Sequence, residues 1–403
     1  MEQMDITIVG GGPAGMIAAI ALARGGRRVA FVAPAPAKTD RRTTALMDQS
    51  IRFLERLGVW QEIAPSTAAL TTMQIIDGTT RLLRAPTVAF HSAEIGLEAF
   101  GYNMPNSVLL AALAKAVSEE RNIASIEATA AGIDIRDEGV IVTLDTGETV
   151  RSDFVVGADG RSSMVREAAD ISVKAWSYPQ SAMVLNFEHS LPHRNVSTEF
   201  HTESGPFTQV PLPGNRSSLV WVQKPDEAAR NAARTPEDLS VLVEERMQSL
   251  LGKVTVADGV QVWPLSGMTA AHFGKGRAAL IGEAAHVFPP IGAQGLNLSL
   301  RDIMALADIL CDNPQQAISA LSGDRFDRKR RADILSRTAS VDLLNRSLLS
   351  DFLPVQVLRA AGLHVLASLT PLRNIVMREG IEPGKGLRFI PSFLMEKLRR
   401  QAS

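Results

Sequence analysis

The order of apolar and polar positions at the start of the chain predicts a βαβ unit. Asp5 to Val9 is a short apolar strand that runs into Gly10-Gly11-Gly12-Pro13-Ala14-Gly15, an alanine-rich helix follows to about Arg24, and a second strand spans Arg28 to Ala33. Arg42 to Leu57 reads as a helix with Leu46, Ile51, Phe53, Leu54 and Leu57 on its core side, and Ser107 to Ala116 as another. Thr72 to Leu83 has the pattern of a hairpin broken at Asp77-Gly78. Ile133 to Val150 repeats it, with turns at Asp137-Glu138-Gly139 and Asp145-Thr146-Gly147. The runs Ala182 to Phe187 and Ser218 to Val222 mark a second sheet, after which Arg277 to Ile281 is again a buried strand, with a helix opening near Leu296. Beyond Arg328 the pattern is helical, and Val357, Ala361, Val365 and Leu369 share one face. Helices alternating with buried strands, interrupted by antiparallel hairpins, predict an α/β fold with an α+β part.

Composition narrows the function. A chain of 403 residues, 45% hydrophobic and 21% charged, has the balance of a soluble enzyme with a large core. A formal net charge of -1, with no basic run interleaved with aromatics, speaks against nucleic acid as a partner. Cys311 is the single cysteine, which rules out an intrachain disulfide and a thiolate metal cluster and fits a reducing compartment. The first strand follows Met1 with no basic n-region, so no secretory signal is expected and the expected location is the cytoplasm. The best candidate for a membrane span, Val355 to Leu369, is interrupted by Gln356, Arg359 and His364.

The glycine-rich turn carries the first chemistry. Gly10, Gly12 and Gly15 take the three glycine places of the dinucleotide fingerprint, with Pro13 and Ala14 between them at the helix start. The first glycine permits the tight turn, the second lets backbone approach a pyrophosphate, and the third lets helix and strand pack closely, so that helix amides face the phosphates. The acid expected at the end of the second strand, which would hold the adenosine ribose, is replaced by Ala33-Pro34. Asp40, or backbone near Ala35, is the expected substitute.

Two later segments select the kind of dinucleotide. One is Val155-Val156-Gly157-Ala158-Asp159-Gly160-Arg161-Ser162-Ser163, a strand entering an Asp-Gly turn; the other runs from Leu280-Ile281-Gly282-Glu283-Ala284-Ala285-His286 through Pro289-Pro290-Ile291-Gly292-Ala293-Gln294-Gly295-Leu296-Asn297-Leu298 to Arg301-Asp302. With Asp40-Arg41-Arg42-Thr43-Thr44-Ala45-Leu46, Leu57-Gly58-Val59-Trp60 and Trp263-Pro264-Leu265, these make a pattern over nearly the whole chain. It resembles the flavin-dependent aromatic hydroxylases of the p-hydroxybenzoate hydroxylase type, and within them the ubiquinone-biosynthesis hydroxylases.

The resemblance implies a Rossmann-like FAD-binding domain of the glutathione-reductase type, discontinuous in sequence, beside a mixed or antiparallel substrate sheet and a C-terminal helical segment. The expected division gives residues 1–71, 101–172 and 258–328 to the FAD domain, 72–100 and 173–257 to the substrate domain, and 329–403 to the helical region. By the same resemblance Asp159 serves the FAD pyrophosphate and, in some members, the reduced nicotinamide. Gly282 and Glu283 serve the ribityl chain, with Glu283 standing where Asp is usual. Arg42 serves the flavin phosphates and Asn106 makes a polar flavin contact. The loop of Gly292, Ala293, Gln294 and Gly295, continuing into Leu296 and Asn297, lies beside the isoalloxazine, and Pro290 borders the oxygen site.

The implied reaction is hydroxylation of an aromatic ring, with a polyprenyl phenol as leading substrate. NADH or NADPH is the transient reductant and O2 reacts through a flavin C4a-hydroperoxide. The alternatives are a hydroxylase of a small aromatic acid and a flavin-binding, non-catalytic subunit of a biosynthetic complex. No catalytic side chain is identified: His91, Glu94, His189, His193 and His201 stand isolated, His286 reads as structural, and no metal motif is present. From Arg373 to Ser403, seven lysines and arginines against three glutamates, interleaved with Leu387, Phe389, Ile390, Phe393, Leu394 and Leu398, suit peripheral contact with the inner membrane face or a partner. They equally suit packing on the same protein.

Overall fold

The opening βαβ unit is present in the computed structural model, which describes residues 3–35, 40, 42–79, 86–257, 259–290, 293–349, 373–375 and 377–378. Strand β1 (Met4–Val9) and strand β2 (Val29–Ala33) are parallel, with Val9 beside Val32. Helix α1 (Pro13–Arg24) connects them and is buried from Gly15 to Ala23. Its alanines explain this: a helix apolar all round is stable only when covered on every side.

Among the described residues three sheets are formed, the first containing this unit. In the first, β8 (Ile123–Glu127) lies outside β2, and β11 (Thr149–Gly157), β19 (Ala278–Leu280) and β18 (Gly274–Lys275) continue on the other side of β1; β9 (Ala130–Arg136) and β10 (Gly139–Leu144) form the expected meander into β11. The second runs β20 (His286–Val287), β17 (Gln261–Ala270), β12 (Val173–His189), β15 (Arg216–Gln223), β14 (Gly205–Leu212), β13 (Val196–Thr202), β5 (Thr72–Asp77), β6 (Val88–His91), with β16 (Val254–Val256) beside β12. A small third sheet orders β3 (Thr43–Met47), β7 (Gly101–Pro105) and β4 (Ala68–Leu70). The remaining helices are α2 (Asp48–Arg56), α3 (Trp60–Ile63), α4 (Asn106–Glu119), α5 (Met164–Ala168), α6 (Pro225–Ala232), α7 (Pro236–Arg246), α8 (Gln294–Leu310) and α9 (Ser322–Leu349).

Three expectations need correction. The helix expected from Arg42 is a strand as far as Met47, because the β-branched Thr43 and Thr44 pair with Pro105 and Met104 of β7, and helix begins only at Asp48. Thr72–Asp77 does not fold back at Asp77-Gly78: its antiparallel partner is Val88–His91, while its other edge pairs in parallel with β13 and the Gly78 N–H donates to His201 O. Strand β17, expected among the nucleotide-binding segments, is hydrogen-bonded into the second sheet through β12. The face expected at Val357 to Leu369 lies outside the described residues.

The largest core joins α1, α4 and α8 to the first sheet, and a second core lies between the second sheet and α7. Through the first runs one buried charge network. Asp302 of α8, fully buried, accepts from His286 Nε2 at 2.7 Å and from Arg330 Nε of α9 at 2.8 Å. Burial alone would raise the Asp302 pKa, but the charges and hydrogen bonds of His286 and Arg330 reverse the effect and hold it below the ordinary carboxylate value. A carboxyl with a lowered folded pKa stabilises the fold above its unfolded value of about 3.9, and that contribution is lost as pH falls through the folded value. The Asp302→Asn variant should lose about 1–3 kcal/mol, since His286 and Arg330 lose their buried charged acceptor and Arg330 keeps only Asp333 as a counter-charge. Urea unfolding at neutral pH and at acid pH checks this: the gap between variant and wild type should be full at pH 7 and shrink on acidification.

Candidate functional site

Four strands of the first sheet end at one level. Val32 of β2, Val9 of β1, Gly157 of β11 and Leu280 of β19 are lateral neighbours in register. The chain leaves three of these ends through the three sequence motifs: Gly10 after Val9, Ala158-Asp159 after Gly157, and Ile281-Gly282-Glu283 after Leu280. The crossing is stitched by backbone hydrogen bonds from Gly10 N to Val32 O at 2.9 Å, Ala158 N to Val9 O at 2.8 Å and Ile281 N to Gly157 O at 2.9 Å.

The glycines at this edge do different jobs. Gly10 has φ +122°, and a Cβ there would fall 2.2 Å from Ala158 O; a Cβ on Gly15 would fall 1.9 Å from Gly10 O. Both are demanded by the protein itself. At Gly12 nothing lies within 4 Å of an added Cβ, so packing does not require glycine there. Gly12 is also the N-cap of α1, contributes no side-chain cap, and is followed by a first turn with no acidic residue. Pro13 removes one of the orphan donors, and the remaining amides, with the positive end of the helix dipole, face open space where an anion would sit. The third motif touches the first: Gly282, at φ +61°, has Ala14 Cβ and Ser299 Oγ 3.3 and 3.5 Å from where its Cβ would be.

Asp159 closes the same edge. Its Oδ2 accepts from Met164 N at 2.8 Å and Val165 N at 3.2 Å, holding the start of α5, whereas its buried Oδ1 has no hydrogen-bond partner among the described residues. A buried acceptor left open is costly, and a ligand hydroxyl or a bridging water satisfies it. The arginine that trails the second motif, to which sequence reasoning gave no role, locks this loop: buried Arg166 donates to Ala284 O at 3.0 Å and to Arg161 O at 2.7 Å, joining the second motif to the third. Arg161 itself is half exposed and reaches Glu283 Oε2 at 3.2 Å and Ser266 Oγ at 3.1 Å. Beside it a cavity of about 370 Å³ is walled by Arg161, Trp176, Ser266, Met268 and Val287.

Arg42 and Asn106 form a second group. Arg42 donates from Nε and Nη2 to the two oxygens of Asp40 at 2.9 and 2.7 Å, and Asn106 Nδ2 donates to Asp40 Oδ2 at 3.0 Å. Burial works to raise the Asp40 pKa, but the hydrogen bonds from Arg42 and Asn106 overcome it and bring the carboxyl down to about 2. Asp40, expected as a substitute ribose ligand, is thus committed to Arg42 and Asn106. The Arg42 pKa is raised by its hydrogen bond to Asp40 against the opposing effect of burial, and the charges of Asp40 and Glu283 add to the rise, which puts Glu283 within electrostatic reach of this group.

The third group is the start of α8. Ala293, its N-cap, is left-handed at φ 53°, gives no side-chain cap, and precedes a first turn without acids, so here too helix amides are left for a negative group. A Cβ on Gly295 would meet nothing within 4 Å. Leu296 is half-buried against the large core and Pro290 is exposed; Gly292 lies outside the described residues. The Asn297 side chain is saturated by the protein. Its Oδ1 accepts from Met47 N and Ser50 Oγ and its Nδ2 donates to Ala45 O and Ala293 O, all at 2.7–2.8 Å, so its side chain is a clamp and only its backbone is left for a cofactor. Gln294 accepts from Arg337 of α9 at 3.4 Å.

Three of the isolated histidines have their ring nitrogens engaged by the protein itself. His189 bonds Leu191 O and Ser217 Oγ, His193 bonds Leu212 O, and His201 pairs with Glu199. Burial pushes the Cys311 thiol up to about 11, so it is protonated packing at neutral pH. No group of metal-ligating side chains is found among the described residues.

The chain is similar to known proteins along nearly its whole length. The family described as FAD binding domain matches residues 3–333. Ubiquinone hydroxylase UbiL of Rhodospirillum rubrum is 32% identical over 408 residues, covering 96% of this chain and 93% of the relative. The 3-demethoxyubiquinol 3-hydroxylase of Escherichia coli is 30% identical, covering 90% and 94%. Among solved structures, p-nitrophenol 4-monooxygenase PnpA of Pseudomonas putida shares the fold at a TM-score of 0.77 and 20% identity, covering 96% of this chain and 99% of that one.

The glycine geometry separates ligand from packing. Gly12→Ala should fold with an unchanged melting temperature as apoprotein yet bind FAD at least tenfold more weakly. Gly15→Ala should lower the melting temperature itself, because its methyl has no room. Calorimetry and flavin titration of the two proteins side by side check both halves.

Proposed function

The chain belongs to the FAD binding domain family, as a flavin-dependent aromatic hydroxylase of the ubiquinone-biosynthesis branch, and from that premise we propose that it hydroxylates a polyprenyl phenol. Relatives that are ubiquinone hydroxylases along nearly their whole length support the substrate class. The observation that carries the reading is the meeting of the three motifs at one strand edge, with two uncapped helix starts and one open buried carboxylate oxygen. The domain division given above is part of the same reading, with β17 transferred to the substrate sheet.

When bound, FAD supplies the redox chemistry, accepting hydride from reduced nicotinamide and activating dioxygen toward an electron-rich ring. The chain's residues bind, orient and polarise. The start of α1 with Gly12 suits the pyrophosphate, and Asp159 Oδ1 suits a hydroxyl or bridging water. The amides at the start of α8 suit negative charge on a reduced ring, because dipoles fixed in place beforehand need no reorganisation as charge appears. Arg161, exposed on the wall of an apolar cavity and steadied by Glu283, suits the anionic part of the nicotinamide cofactor.

The described part of the C-terminal region packs on the protein itself. Arg373 donates to Glu94 at 2.8 Å, and Met377 joins Ile95 and Phe100 in a small core. No helix among the described residues is long and apolar enough to cross a membrane. A peripheral membrane role therefore falls to residues 379–403, whose basic and apolar residues suit anionic lipid. Deleting them should reduce co-sedimentation with anionic liposomes severalfold and leave FAD content unchanged; undiminished liposome binding removes the lipid role.

The reaction is tested with purified holoenzyme, a short-chain prenylphenol, reduced nicotinamide and isotopically labelled dioxygen. The phenol should accelerate nicotinamide oxidation at least tenfold and leave as a product carrying one labelled oxygen. Bound flavin that reduced nicotinamide does not reduce, with or without phenol, points instead to the non-catalytic subunit.

A further inference from the structure

The fingerprint lacks its ribose acid, and the structure holds a carboxylate beside the vacant position on another strand. Ala33, where the acid is expected, ends β2; its lateral partner in the parallel ladder is Glu127, the last residue of β8. The pairing is tight to the end of both strands, with Ala128 N donating to Ala33 O at 3.1 Å. Residues in register on neighbouring parallel strands project from the same face, and the strands lie about 4.8 Å apart, a spacing that a glutamate side chain can span. That face is the one toward the nucleotide. A Cβ on Gly11 would fall 2.8 Å from Ala33 Cβ, so the Ala33 side chain points at the glycine-rich turn, where Gly11 and Gly12 are exposed. Glu127 is exposed, and no hydrogen bond or ion pair described for this chain involves its carboxylate.

We infer that Glu127 takes over the missing function: its carboxylate accepts hydrogen bonds from the adenosine ribose hydroxyls of the dinucleotide, reaching from β8 to the place that an acid on β2 would serve. The assignment rests on the FAD reading above. Two facts favour Glu127 over Asp40, the other acid considered for the role. Asp40 has both oxygens committed to Arg42 and Asn106, while Glu127 lies at the same strand edge as the three motifs. An ionised acceptor also suits the ligand, because a ribose diol offers two donors to one carboxylate.

The test is a titration of the full-length apoprotein with FAD and with an FAD analogue whose adenosine ribose lacks its 2′-hydroxyl. The wild type should prefer FAD. Glu127→Gln should bind FAD roughly tenfold to a hundredfold more weakly, the loss of a charge-assisted hydrogen bond, and should no longer discriminate between the two flavins. The double variant Ala33→Glu/Glu127→Gln should recover affinity and discrimination, since the acid is returned to β2. Equal melting temperatures of wild-type and Glu127→Gln apoproteins separate ligand loss from misfolding. A Glu127→Gln protein with wild-type affinity and discrimination overturns this assignment alone; a wild type that binds no FAD overturns the cofactor reading together with it.

Discussion

The molecule is organised by the closeness with which its first helix and first strand meet. With only 1.9 Å between the Gly10 carbonyl and the position of a Cβ on Gly15, α1 lies as near to the end of β1 as two backbones allow. That approach aims the first amides of α1 past the edge of the sheet, and the other parts of the site are placed relative to it. Gly282 can rest on Ala14 only because the helix start is low, and α8 follows Gly282 through Ser299. The Asp-Gly loop is drawn to the same level by Ala158 and locked to the third motif by Arg166.

The polar groups of the site divide into those spent on the protein and those left over. Asn297, Arg166 and Oδ2 of Asp159 are consumed in holding loops and helix starts. Asp40 and Arg42 satisfy each other and tie the third sheet to the first turn of α4 through Asn106. What remains open, besides the exposed Glu127 carboxylate, is the amide end of α1, the amide end of α8 and the buried Oδ1 of Asp159. Two helix ends carrying partial positive charge and one carboxylate oxygen form an electrostatic outline of a ligand with anionic groups and at least one hydroxyl. Asp302 plays no part in that outline, yet it fixes α8 from behind by binding His286 and Arg330, so the open amides are held by a network that does not touch the ligand.

Much of this was legible in the sequence where it depends on neighbours along the chain. The period of the apolar residues gave β1, α1 and β2, and the turns at Asp137-Glu138-Gly139 and Asp145-Thr146-Gly147 gave the meander of β9, β10 and β11, because a strand or tight turn is specified locally. Legibility failed where distant pairing decides. Leu46 satisfies a helical or a strand pattern equally, and only the partnership of Thr43–Met47 with β7 selects the strand. The partner of Thr72–Asp77 lies beyond the turn that seemed to end it. Among site residues, the glycines announce themselves by spacing, while the saturation of Asn297 and the lateral position of Glu127 arise from register, which single-sequence patterns do not encode.

The strand order also governs how the protein comes into being. Val9 needs Gly157 beside it and Gly157 needs Leu280, so the sheet that β1 begins is completed only when β19 is made. A chain emerging from the ribosome carries β1 with one flank bare until β11 is made, and β11 with one flank bare until β19 follows, and such long-range pairing is slow and prone to misassociation. Flavin enters a seat that closes only when the third motif arrives, so supply of the cofactor during translation bears on how much of the chain reaches its native state, and not only on how active that state is.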